Sequence, residues 1–228
     1  PEVHRTLQRE DPPARVADVA CGQGRSTLAI ARGYPHAHVD GIDADEASIR
    51  EAGAHLAEAD PDVAGRVTFS HRDAADAASA GTYDVVTIFE ALHDMSHPVA
   101  VLGAARELLA PGGVVVIGDE RTADRFSLDA GDIERLYYGF SVAHCLPVGM
   151  EGADAAGSGT VLRAATVADY GHRAGFADVE VLPTENDFWR FYLLRRCAAA
   201  DNRRRRPRTP APPPTPAPAT GPAEPRAG

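Results

Sequence analysis

The sequence predicts an α/β fold: a doubly wound, seven-stranded, mostly parallel sheet with helices on both faces. Three observations carry that prediction. Apolar runs of strand length alternate with helical stretches from residue 15 onward, which is the order of a parallel sheet with crossover helices. The first apolar run enters a glycine turn and then a helix. Finally, 228 residues with 44% hydrophobic and 25% charged residues supply a sizeable core without help from disulfides.

The elements follow in order. Residues 16–20 read as a strand, 26–33 as a helix and 37–42 as a second strand, because short apolar runs flank a stretch of helical periodicity. The alternation continues with a helix at 46–59, strands at 67–70 and 83–89, a helix at 98–109 and a strand at 114–117. Pro111, Gly112 and Gly113 make a turn into that last strand, since Pro presets one dihedral and Gly tolerates the others. Thr166 is read as the N-cap of a further helix that Gly175 ends, before strands at 179–182 and 189–194. Between 121 and 165 the alternation lapses. One amphipathic helix is expected there, with Ile133, Leu136, Tyr137 and Phe140 on one face, followed by a Gly-rich stretch; insertions at that end of a sheet commonly cover a ligand crevice.

Three parts are expected: a lead-in at 1–14 that is a remnant of a missing module, a folded domain at 15–198 with a lid-like insertion at 121–165, and a disordered Pro/Ala/Arg-rich tail at 199–228. The tail has almost no large apolar residue with which to offset ordering entropy. The formal net charge is −10, and every basic residue is Arg. Residues 201–228 carry six Arg against Asp201 and Glu224, which leaves residues 1–200 at −14. An acidic body repels a phosphate backbone, so no nucleic-acid partner is expected. Cys21, Cys145 and Cys197 are far apart and form no CxxC pair, which argues against a zinc ribbon or disulfide framework and for a reduced, cytoplasmic setting. No run approaches the ~18 apolar residues of a membrane span, and no membrane partner is expected.

The most informative stretch is VADVACGQGRSTLAIA, residues 16–31. Glycines here let a ligand approach the backbone, and the N–H groups opening the next helix favour its polar groups. Asp43 closes the second strand 21 residues after Gly22, where a carboxylate can accept hydrogen bonds from both ribose hydroxyls. A nucleoside ligand follows. The third glycine of a dinucleotide fingerprint would fall at position 27, which is Thr27, so an NAD-dependent oxidoreductase is the weaker reading.

Over roughly residues 15–195 these motifs resemble the class I S-adenosylmethionine-dependent methyltransferase family, whose fold is Rossmann-like. Asp18, Ala20, Gly22 and Gly24 resemble its acidic residue and glycine loop, with Ala20 standing where the family often has Gly. Asp43 and Ala44 in GIDADEAS resemble the ribose-binding segment, and Asp73 and Ala74 in VTFSHRDAAD the segment beside the adenine. Asp84 opens what resembles the fourth strand, PGGVVVI the fifth, and AGFADVEVL the turn into the sixth. LHDM at 92–95 and RLYYGFSVAHCLPVGM at 135–150 resemble bacterial members with an N-terminal winged-helix dimerisation module, and imply a homodimer if such a module exists.

The resemblance implies S-adenosylmethionine as cofactor and methyl transfer to a small-molecule acceptor. A base is needed when the acceptor is a hydroxyl. Glu90, His93, Asp94, Asp119, Glu120 and His144 stand at strand ends or in the insertion. His93 comes first because an ordinary imidazole titrates near ~6.5, with Glu90 both a catalytic candidate and beside the cofactor. His93 and His97 are four apart, but the Glu of an HExxH motif is missing and Pro98 starts a helix, so no metal site is expected. Tyr137 and Tyr138 are candidates to contact an aromatic acceptor or the sulfonium. A non-catalytic, regulatory S-adenosylmethionine-binding module remains the alternative.

Overall fold

The computed structural model describes residues 2–73 and 80–197. Ala74 and the expected tail at 199–228 lie outside the described residues. After α1 (Glu2–Leu7), the chain runs β1 (Arg15–Val19), α2 (Arg25–Gly33), β2 (His38–Asp43), α3 (Glu46–Ala57), α4 (Pro61–Ala64) and β3 (Val67–His71). β4 (Tyr83–Phe89) leads through a 3₁₀ turn at Leu92–Asp94 into α5 (Pro98–Leu108) and β5 (Leu109–Glu120). Then come α6 (Asp132–Phe140), a π-helical turn at Ser141–Cys145, α7 (Leu146–Gly149), α8 (Ala164–Arg173), β6 (Asp178–Val181) and β7 (Trp189–Arg195).

The seven strands lie in the order β3-β2-β1-β4-β5-β7-β6. β1 to β5 are parallel, while β7 runs antiparallel to both β5 and β6. Helices shield both faces, which is why the central strands read as nearly unbroken apolar runs. One face buries Ala17, Val19, Ile88, Ile117 and Tyr192 against Leu102, Leu108, Leu162 and Val167. The other buries Val16, Val39, Val85 and Val116 against Leu7, Leu28, Ala31 and Val63. The chain reverses direction across the sheet between β1 and β4, so a crevice opens at their C-terminal ends.

Two local readings are corrected. The Thr166 cap is displaced: α8 begins at Ala164 with Arg163 as its cap residue, so Thr166 sits within the first turn. The turn at 111–113 falls inside β5, where the pairing with β4 slips between Tyr83 and Val85 and Gly112 adopts φ +81°. Gly175 does stand just past the end of α8 at φ +89°, a left-handed terminus that suits glycine.

Candidate active site

The loop from β1 to α2 holds Ala20, Gly22 and Gly24 at φ +56°, +53° and +75°. Beneath it lies Asp18, 1% exposed, whose Oδ2 accepts from Ser26 Oγ at 2.6 Å and Thr27 Oγ1 at 2.7 Å. Its Oδ1 accepts from Thr87 Oγ1 on β4 at 2.7 Å. Burial raises this carboxyl above the ordinary range although all three hydroxyls favour the charged form. Asp18 therefore ties the loop, the start of α2 and β4 together from below.

The two glycines have different duties. A Cβ on Gly22 would meet nothing within 4 Å, so its backbone borders open space where a ligand can approach. A Cβ on Gly24 would come within 2.7 Å of Phe69 Cε1, closer still to Cζ, and 3.1 Å from Ala52 Cβ. Gly24 thus has a packing duty as well, since it lets Phe69 of β3 wedge under the loop. Thr27, where a dinucleotide loop would have its third glycine, is fully buried as one of the Asp18 donors.

At the end of β2, Asp43 Oδ2 accepts from Gly22 N–H at 2.7 Å and Oδ1 from Asp45 N–H at 2.8 Å. Asp45, not Asp43, caps α3, accepting from Ser48 N–H at 2.8 Å and Ala47 N–H at 3.4 Å. Each Asp43 oxygen keeps a further lone pair for a ligand hydroxyl. Ala44 is exposed beside it, its carbonyl 3.0 Å from His71 Nε2, and Asp73 follows β3 on the same edge of the sheet, exposed. The donor set is coherent for a nucleoside: an open glycine backbone, a half-buried carboxylate for ribose and a further acid along the edge.

Beyond β4 a cavity of about 360 Å³ is lined by Glu90, His93, Glu120, Tyr137, Phe140, His144, Cys145, Thr160, Phe188 and Trp189, with Leu136 at its rim. Glu90 turns into it at φ +52°, a left-handed conformation that costs a non-glycine residue energy and recurs where function fixes a side chain. Burial, with Glu120 nearby, pushes its carboxyl up to about 7. Tyr137 lines the cavity and donates its hydroxyl proton to the Phe188 carbonyl at 2.6 Å, and burial pushes that hydroxyl up to about 12. Tyr138 points elsewhere, receiving a hydrogen bond from Arg163 at 2.9 Å.

His93 is 3% exposed and clamped by acids. Its Nδ1 lies 2.9 Å from Asp119 Oδ1 and 3.0 Å from Glu120 Oε2, and its Nε2 lies 3.2 Å from Asp94 Oδ1. Burial alone would lower its pKa, but hydrogen bonds to Asp119 and Glu120 outweigh it and hold the ring at about 12. Burial also raises Glu120. The expectation of a near-neutral imidazole is thereby corrected: His93 carries its proton at pH 7 because two buried carboxylates hold it. His97, expected to share a face with His93, is exposed at the start of α5 and takes no part.

Sequence reasoning nominated Glu90, His93, Asp94, Asp119, Glu120, His144 and Tyr137; Asp94 and Asp119 stand against His93, and the others line the cavity. It missed Thr160, Phe188 and Trp189. The Gly-rich stretch is pinned to the turn after β4 by Gly159 N–H to His93 O at 3.1 Å and Ala156 N–H to Ser96 O at 2.8 Å, which brings Thr160 in. Trp189 arrives because β7 pairs antiparallel with β5, placing it opposite Glu120. Its side chain stands beside Glu90 and favours the charged form of that carboxyl.

A sheet of this order, with an edge suited to a nucleoside and an aromatic cavity at one crevice, defines an α/β domain with room for a nucleoside beside a second small molecule. Residues 17–115 match the model of a methyltransferase domain. The ubiquinone biosynthesis O-methyltransferase of Marinobacter nauticus is 41% identical over 100 residues, 43% of this chain and 41% of that protein. Its namesake in Xanthomonas campestris pv. campestris is 37% identical over 118 residues, 51% and 48% of the two chains. The chain thus matches less than half the length of these curated relatives. Among solved structures, S-adenosylmethionine-dependent methyltransferase SibL in its apo form aligns with TM-score 0.62 at 22% identity, over 83% of this chain and 53% of that one. The trans-methyltransferase CalH complex with SAH aligns with TM-score 0.63 at 19% identity, over 86% and 55%. These two likenesses are of fold. These matches support a class I S-adenosylmethionine-dependent methyltransferase domain over residues 17–115, with S-adenosylmethionine as the cofactor. The oxidoreductase reading is set aside.

Proposed function

We propose that this domain transfers the methyl group of S-adenosylmethionine to a hydroxyl of a small, flat, aromatic acceptor in the cytoplasm. The carrying observation is the 360 Å³ cavity, in which aromatic walls surround a carboxyl, Glu90, held at about 7. The bound cofactor supplies an electrophilic methyl on a sulfonium. Everything else falls to the chain. Gly22, Asp43, Ala44 and Asp73 would hold the nucleoside, with Asp18, Ala20 and Gly24 shaping the loop; Ala74 is proposed beside the adenine on the resemblance alone. Residues 121–165 would close over the acceptor, and Tyr137, Phe140, Phe188 and Trp189 would sandwich its ring and exclude water. Such alignment does much of the work in an in-line displacement.

Glu90 would accept the hydroxyl proton as the oxygen attacks, since a base titrating near the working pH is both unprotonated and basic enough. The acids around Glu90 also favour a cation, which suits a sulfonium. A second reading gives His93 a part that its firmly held proton allows, as a cation beside the cavity that orients Glu120 rather than as the base itself. The relatives' name, O-methyltransferase, supports oxygen as the acceptor atom. The test incubates the chain with methyl-labelled cofactor and a panel of phenols and catechols, scoring labelled ether and S-adenosylhomocysteine. Turnover lost in Glu90→Gln with cofactor affinity retained supports Glu90. Turnover lost in His93→Gln alone favours the second reading. Cofactor binding without transfer to any acceptor overturns the enzyme reading in favour of a regulatory module.

A further inference from the structure

The face of His93 turned away from Asp119 carries an arrangement that methyl transfer does not require. His93, Asp94 and Cys145, from the turn after β4 and the π-helical turn after α6, each offer a ligand atom, an imidazole nitrogen, a carboxylate oxygen and Sγ, and these lie within 4.8 Å of one another. Cys145 is 8% exposed, and Asp94 Oδ1, an atom shielded from solvent, lies 3.2 Å from His93 Nε2. The ring is also oriented as in metal sites, where a ligating histidine donates its other N–H to a carboxylate: here Nδ1 sits 2.9 Å from Asp119 Oδ1, itself 1% exposed.

We propose that His93 Nε2, Asp94 Oδ1 and Cys145 Sγ form a zinc-binding site at the floor of the cavity. One nitrogen, one oxygen and one thiolate match the borderline softness of Zn²⁺ and exclude Mg²⁺ and Ca²⁺, which take oxygen ligands. Three protein ligands leave a fourth tetrahedral position open, and both His93 and Cys145 line the cavity toward which it opens. Binding releases the protons of the imidazolium nitrogen and the thiol, so the site competes with protons and strengthens as pH rises. The inference is independent of whether the domain transfers methyl groups.

The test takes the purified, tag-free chain, stripped of metal, and titrates Zn²⁺ against a chromophoric chelator, with Co²⁺ as a spectroscopic probe. The expected result is one Zn²⁺ per chain and a thiolate-to-Co²⁺ charge-transfer band. Cys145→Ser abolishes the band and weakens zinc by about tenfold or more, Asp94→Asn weakens it comparably, and Asp119→Asn weakens it by roughly 10- to 100-fold through the orienting bond. The doubly substituted Cys21→Ser, Cys197→Ser chain keeps the band, and circular dichroism and thermal melts establish that each variant is folded. No one-to-one complex, a Co²⁺ complex without the thiolate band, or unchanged zinc affinity in folded Cys145→Ser or Asp94→Asn overturns the site.

Discussion

Replacing Gly24 by Ala separates the two duties of the glycine loop. The new methyl group would sit within 2.7 Å of the Phe69 ring and 3.1 Å from Ala52 Cβ, on a backbone held at φ +75°. The left-handed conformation costs an L-residue about 1 to 2 kcal/mol, and overpacking a filled space costs a further ~1 to 3 kcal/mol. Together they predict a loss of about 2 to 5 kcal/mol. For a domain of this size a loss of that order lowers Tm by roughly 4 to 20 °C. Scanning calorimetry on the wild type, Gly24→Ala and Gly22→Ala provides the assay. Gly22→Ala meets no atom and bears only the conformational term, so it melts closer to wild type, yet it weakens S-adenosylhomocysteine binding because its methyl group enters the open edge. Phe69→Leu in the Gly24→Ala background should restore part of the lost stability, since the two sites are in contact. A Gly24→Ala chain melting within 2 °C of wild type, on the scale set by about 1 kcal/mol, would refute the reasoning.

Four further outcomes are expected. Asp43→Ala weakens S-adenosylhomocysteine binding by roughly 1 to 3 kcal/mol, read by calorimetry, because ribose hydroxyls lose a charged acceptor and Gly22 N–H loses its tether. His93 has a folded pKa raised to about 12 from 6.5, so its stabilising contribution is fully present below pH 6.5 and fades as pH rises toward 12. Urea melts of His93→Gln against wild type should therefore differ most near pH 6, and the difference should narrow steadily from pH 7 to pH 10. Glu90 also has a raised folded pKa, about 7 against 4.5, so its favourable contribution exists below pH 4.5 and is lost as pH rises through 7; Glu90→Gln should gain stability relative to wild type across that window. Arg66→Ala should cost about 2 to 4 kcal/mol in denaturant titrations, since the guanidinium donates to the carbonyls of Ala31, Tyr34 and Ala37 at 2.8, 3.1 and 2.8 Å.

The sequence by itself determined the layered α/β fold, the position of the glycine loop and the acid closing β2. These are local signals: a strand announces itself by unbroken apolar residues, a turn by glycine, and a ribose acid by its distance from the loop. Only the tertiary structure decided what those residues touch. Asp18 and Asp43 look alike in sequence, yet one is buried under three hydroxyls that come from α2 and β4 while the other stays at the crevice edge. Gly24 and Gly22 are separated by one residue, and Phe69, 45 positions after Gly24 on β3, makes one a packing glycine and leaves the other open. His93 offers the same lesson in charge: its neighbour Asp94 is legible along the chain, but Asp119 and Glu120 reach it from β5, and their hydrogen bonds and charge, not the imidazole's own chemistry, hold its proton. Contacts between residues remote in sequence carry no periodicity, so burial and pKa, which are sums over such contacts, appear only when the chain is folded.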